Sequence, residues 1–159
     1  LQMEYDMKKI FASVLLLLAP SIGFAGGHGG LGGHGTGVVT NTEAMQGKTG
    51  GIVKQTTQDV WIWDNPPEGF PAASSATCNQ FIAFGETPQP IGGAVVCRSI
   101  DPDGDVTINN GTFQSDGTVL LTVVAATGKW APYLGASWIG KTDIQLGESA
   151  SVYSFTPAN

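Results

Sequence analysis

The chain is expected to fold as an all-β domain, an antiparallel β-barrel of about eight strands with a β-sandwich as the alternative. Short runs rich in β-branched and aromatic residues recur at roughly ten-residue spacing, with Gly, Pro or Asp turns between them. Beyond the N-terminal region, no window of about 11 or more residues carries the i, i+3, i+4, i+7 stripe of an amphipathic helix. No long helix is expected.

The N-terminus is read as a leader. Met7-Lys8-Lys9 supplies a positive segment, Ile10 to Ala19 a short apolar run, and Gly23-Phe24-Ala25 a small-residue cleavage site, which is the pattern of a secretory signal. A membrane span needs about 20 apolar residues, and this run is roughly half that. Residues 1–25 are therefore assigned to the leader, with Leu1 to Asp6 left out of fold reasoning. Cleavage after Ala25 implies a secreted or periplasmic protein.

Residues 26–37 read Gly-Gly-His-Gly-Gly-Leu-Gly-Gly-His-Gly-Thr-Gly. With few side chains to bury, they are expected to form a flexible tail. The folded domain then covers 38–159, starting near Val38 or at the latest Gly51. Strands are expected at Ile52 to Gln58 and Val60 to Trp63, ended by Asp64-Asn65-Pro66-Pro67. Further strands fall at Cys78 to Gly85, ended by Pro88-Gln89-Pro90, and at Ala94 to Ile100. Val106 and Ile108, extended to Phe113, resume the alternation. Gly117 to Ala126 is apolar on both faces, with Val119, Leu121, Val123 and Ala125 on one and Leu120, Thr122 and Val124 on the other, so it is expected to be central and covered. Trp138-Ile139 and Val152 to Phe155 complete the set.

Net charge is −6, and the few basic residues are scattered. Phosphate tracking needs clustered Lys and Arg, so nucleic acid is excluded as a partner, as is an anionic membrane surface once the leader is gone. Cys78 and Cys97 are the only cysteines. In an exported chain an even count favours a disulfide, closing a loop of about 20 residues worth roughly 3 kcal/mol.

Two segments resemble a known group. Cys97 to Asp105 (Cys-Arg-Ser-Ile-Asp-Pro-Asp-Gly-Asp) is similar to the C…D-x-D-G-D hairpin of small secreted β-barrels. Ala126-Thr127-Gly128-Lys129-Trp130-Ala131, with Leu134-Gly135-Ala136, resembles their G-T-G-K-[YW]-A-G…G segment. Over roughly 77–140 the chain is thus similar to the allene oxide cyclase-like and dirigent-like barrels. Pro132-Tyr133 interrupts the second segment, and the strand after Asp105 lacks the aromatic the pattern carries there. The resemblance implies an eight-stranded antiparallel barrel with an apolar interior. It implies no single chemistry, since fold is not function.

Asp101, Asp103 and Asp105 raise calcium, but an EF-hand loop needs Gly at position 6 and Glu at position 12, where this chain has Val106 and Thr112. The simpler reading is a hairpin turn at Asp103-Gly104. His28 and His34 both fall in the expected tail, leaving the domain without the commonest general base. An enzyme here would have to use a carboxylate, Tyr133 or Tyr153, or shape alone. A free Gly26-Gly27-His28 terminus offers the square-planar nitrogen set suited to Cu(II) or Ni(II), with a low-complexity spacer as the plainer reading. Trp61 and Trp63 share one strand face, and with Trp130 and Tyr133 they are the candidate ligand-binding set, against a simple packing role.

The expectation is a secreted β-barrel that acts as a binding or structural module for a small apolar ligand, with homo-oligomerisation left open. The rivals are a cyclase or isomerase working in an apolar cavity and an extracellular matrix or filament subunit.

Overall fold

The computed structural model describes residues 31–158. The expected leader, its cleavage site and the Gly26-Gly27-His28 metal set lie outside the described residues. The rest is a closed antiparallel barrel of eight strands in simple meander order: β1 (Gly33–Gln46), β2 (Gly51–Trp63), β3 (Ala73–Phe84), β4 (Pro90–Ile100), β5 (Val106–Phe113), β6 (Val119–Ala126), β7 (Ser137–Leu146) and β8 (Ala150–Pro157). A short 3-10 helix, Gly128–Tyr133, lies between β6 and β7.

Because the chain runs up and down, connections alternate between two ends. One end carries the four short hairpin turns, at 47–50, 85–89, 114–118 and 147–149. The other carries the longer 64–72 segment, the Asp-rich turn and the 3-10 helix. β1 closes the barrel by pairing with β8 from Gly33 to Val38. The β6–β7 ladder is short, from Val119–Gly140 to Thr122–Ser137, so the upper part of β7 stands clear of β6.

Strand residues alternate between lumen and exterior. In β2, Thr57, Asp59, Trp61 and Trp63 are buried while Val60 and Ile62 are exposed. In β4, Val95, Cys97 and Ser99 are buried while Val96 and Ile100 are exposed. A wall one sheet thick has a single covered face, which corrects the expectation for β6. Val123 is buried and Leu121 partly so, but Leu120 and Val124 lie on the open exterior, and Ala125 is exposed as well because the β5–β6 register shifts between Val123 and Ala125.

The 26–37 tail also needs correction. Gly33, His34, Gly35, Thr36 and Gly37 belong to β1, and the barrel starts five residues earlier than expected from the 38–159 boundary. The glycines at 33, 35 and 37 form a period-2 stripe facing the lumen. A Cβ at Gly33 would stand 2.5 Å from the Phe155 ring, one at Gly35 2.7 Å from the Tyr153 ring, and one at Gly37 2.6 Å from Asp59 Oδ1. Glycine is required there because aromatic rings and a carboxylate occupy the space a side chain would take. His34 points outward, with Nδ1 3.2 Å from Asp64 Oδ1, so the folded domain does contain a histidine.

Cys78 and Cys97 form the expected disulfide. They are direct partners in the β3–β4 register, and both sulfurs line the lumen. The Asp-rich turn differs by one residue from its expected position. Gly104 N–H donates to the Asp101 carbonyl at 3.1 Å, placing Pro102-Asp103 at the centre and Gly104 at the fourth position with φ +91°. Asp, Pro and Gly at first, second and fourth positions are the residues a type I turn favours.

Candidate functional site

The lumen is hollow. A cavity of about 400 Å³ runs along the barrel from the hairpin end to an aromatic floor. Ligand pockets fall in the range of about 300–1,000 Å³, so this one suits a small molecule.

The floor is built where the longer connections gather. Trp63 packs on Trp130, Trp138 and Phe155 with ring centroids 5.1, 5.9 and 5.0 Å away. Phe70 meets Trp130 edge-on at 4.5 Å, and Tyr133 backs this layer against Phe70 and Trp130. Trp138 Nε1 donates to the Leu31 carbonyl at 2.7 Å, bringing the chain's first described residue under the barrel.

Trp130 is held by the Asp-rich turn. Asp101, whose side chain is fully buried, accepts the Trp130 indole N–H at Oδ2 (3.1 Å) and the Asp103 and Asp105 amides at Oδ1 (2.9 and 3.0 Å). Asp105 accepts the Lys129 amide at 3.1 Å, and Lys129 Nζ donates to Asp103. The three aspartates thus fasten the 3-10 helix to the barrel.

Above the floor lies a polar level. Asp59 on β2 is 7% exposed and lines the cavity. Tyr153 on β8 donates its hydroxyl to Asp59 Oδ1 at 2.9 Å, and Thr57 donates to Oδ2 at 2.6 Å. Burial pushes the Asp59 carboxyl above its ordinary range, against the two hydroxyls that favour its charged form. Burial, then the neighbouring Asp59 charge, holds the Tyr153 phenol well above its usual value, so Tyr153 stays a donor. Across the lumen, Ser99, Thr107 and Asn109 form a neutral chain, with Ser99 and Thr107 hydroxyls 2.7 Å apart and Asn109 Nδ2 donating to Thr107 at 2.8 Å.

Of the expected ligand-binding set, Trp61, Trp63 and Trp130 line the cavity, whereas Tyr133 sits behind Trp130 and does not. Trp138 and Asp59 also belong to the site and lie outside the expected ligand-binding set, while Tyr153, one of the two tyrosines the sequence offers to an enzyme, pairs with Asp59. Asp59 and Tyr153 are 94 residues apart in sequence, and only barrel closure brings them together. The one local signal for Asp59 was a lone carboxylate at the same parity as Trp61 and Trp63. Among the described residues no helix is long and apolar enough to cross a membrane. No family model, curated protein or solved structure matches the chain.

Proposed function

We propose that this is an exported binding module that carries a small, mainly apolar ligand inside its barrel. The observation that supports it most is the hollow lumen, closed by aromatic rings at one end and reached past the hairpin turns at the other. A barrel serving only as a structural unit has no need of an unfilled interior, since cavities are destabilising by roughly 24 cal/mol per Å³. The disulfide suits an oxidising compartment, in line with the leader read from the sequence. The proposed kinship with allene oxide cyclase-like and dirigent-like barrels is consistent with the eight-stranded meander.

The Asp59–Tyr153 pair favours a second reading, a cyclase or isomerase. Its carboxylate would act as base and its phenol as acid on a substrate held against the aromatic floor. Titration with the neutral dye N-phenyl-1-naphthylamine tests the shared premise. One dye per chain, with quenching of tryptophan emission, is expected. Absence of saturable binding by this dye and by other small apolar probes would remove both readings.

A further inference from the structure

We propose that the barrel's ligand is a small organic ammonium ion, an apolar amine whose charged head pairs with Asp59 while its body rests on the tryptophan floor. This rests on the cavity-binding reading above and adds the ligand's charge and the residue that reads it.

The argument starts from an imbalance. Asp59 is buried, and its partners are two neutral hydroxyls. The ion pairs among the described residues join His34 to Asp64, Lys54 to Glu43, and Lys129 to Asp101 and Asp103. None includes Asp59. Lys141 is the one cation among the residues around the cavity. It alternates with Gly140 and Thr142, which face in, so its side chain points away. A carboxylate withdrawn from water without a cation is expensive, and a hydrogen-bonded cation beside it offsets part of that cost. Each Asp59 oxygen accepts one protein hydroxyl and keeps a further lone pair for a ligand N–H.

The walls fit the same ion. Gly35 is register partner to both Trp61 and Tyr153, and Gly37 is partner to Asp59. Asp59 therefore stands one inward step above the Trp61–Tyr153 level, with Trp63 a further step below. A cation over tryptophan or tyrosine rings gains from their quadrupole, and gains more where water is excluded. Gly37 leaves room for the carboxylate, since a Cβ there would stand 2.6 Å from Asp59 Oδ1. The entrance has the matching sign. The four hairpin turns at the open end carry Glu86, Asp116 and Glu148 against Lys48, and Glu148 itself lines the cavity. Such a mouth raises the local concentration of cations. A carboxylate ligand would meet repulsion at the mouth and again at Asp59.

A matched pair of probes decides it. 2-Phenylethylamine and 2-phenylethanol share size and shape and differ in charge. At pH 7.5, tryptophan quenching by the wild-type protein should show the amine binding at least tenfold more tightly than the alcohol. Asp59→Asn should abolish that preference by weakening the amine to the level of the alcohol. Tyr153→Phe, which keeps the carboxylate, should retain the preference, and circular dichroism should show both variants folded. If the dye binds but the alcohol equals the amine in the wild type, the ammonium assignment is wrong and the cavity reading survives. An undiminished preference in Asp59→Asn would likewise overturn the assignment. Failure of dye, amine and alcohol together would overturn both.

Discussion

Replacing Asp101 by Ala should be among the most damaging single changes available outside the barrel's apolar interior. Three N–H groups lose their acceptor at once: the Asp103 and Asp105 amides and the Trp130 indole. The two amides lie in a turn that water can reach, so about 1 kcal/mol each is a fair loss. Trp130 is 3% exposed, and its stranded N–H adds about 1–2 kcal/mol. The sum is about 3–4 kcal/mol, or a fall in Tm of roughly 12–16 °C for a domain of this size. Asp103→Ala is the control. It removes only the exposed pairing with Lys129 and should cost under about 1 kcal/mol. Urea unfolding followed by tryptophan emission measures both, and a red shift of native Asp101→Ala emission would report exposure of Trp130. Equal losses for the two variants, or a loss below about 1 kcal/mol for Asp101→Ala, would refute the claim that this carboxylate fastens the floor.

Three further outcomes are expected. Gly35→Ala puts a Cβ 2.8 Å from the Val60 carbonyl and 2.7 Å from the Tyr153 ring. Overpacking of this kind costs about 1–3 kcal/mol, whereas outward-facing Thr36→Ala should stay within about 0.5 kcal/mol in the same urea assay. The Cys78→Ala/Cys97→Ala pair opens a bridge of sequence separation 19 and should lose about 3 kcal/mol; thiol labelling of the denatured, unreduced wild type should find no free cysteine. Asp59 has its carboxyl raised by burial. The folded state therefore holds its proton to higher pH than the unfolded chain, and stability falls as pH rises from the ordinary carboxylate range, about 4, through the folded value. The stability difference between Asp59→Asn and wild type should grow over that window in favour of the variant; a flat difference would contradict it.

Much of the architecture was legible from the period-2 runs in β2 to β6, because a half-buried strand writes its two faces into the chain. The disulfide followed from the cysteine count, and Trp61 and Trp63 fell on the lumen face as their spacing required. β1 escaped because its inward positions are glycines. Gly33, Gly35 and Gly37 carry no hydrophobic signal, and the residues that need the space they leave, Phe155, Tyr153 and Asp59, are distant in sequence. β6 reads as a central strand because Leu120 and Val124 are apolar, but a closed barrel has no second layer to cover them. The polar half of the site was illegible for a related reason. Asp59 reads as one more surface carboxylate until closure turns it inward beside Tyr153.

The central claim is that ligands enter the lumen, and the exterior makes a sharp test necessary, since Val60, Phe81, Val96, Ile108 and Val124 expose apolar surface on the outer wall. Leu121 faces the cavity between β5 and β7, so Leu121→Trp fills the lumen without altering the outside. Saturation binding of N-phenyl-1-naphthylamine, compared between wild type and Leu121→Trp with matching far-ultraviolet circular dichroism, is the most direct measurement. The account predicts at least a tenfold loss of affinity in the filled barrel. Unchanged binding by a folded Leu121→Trp protein would place the dye on the exterior and contradict the claim that the lumen is the binding site.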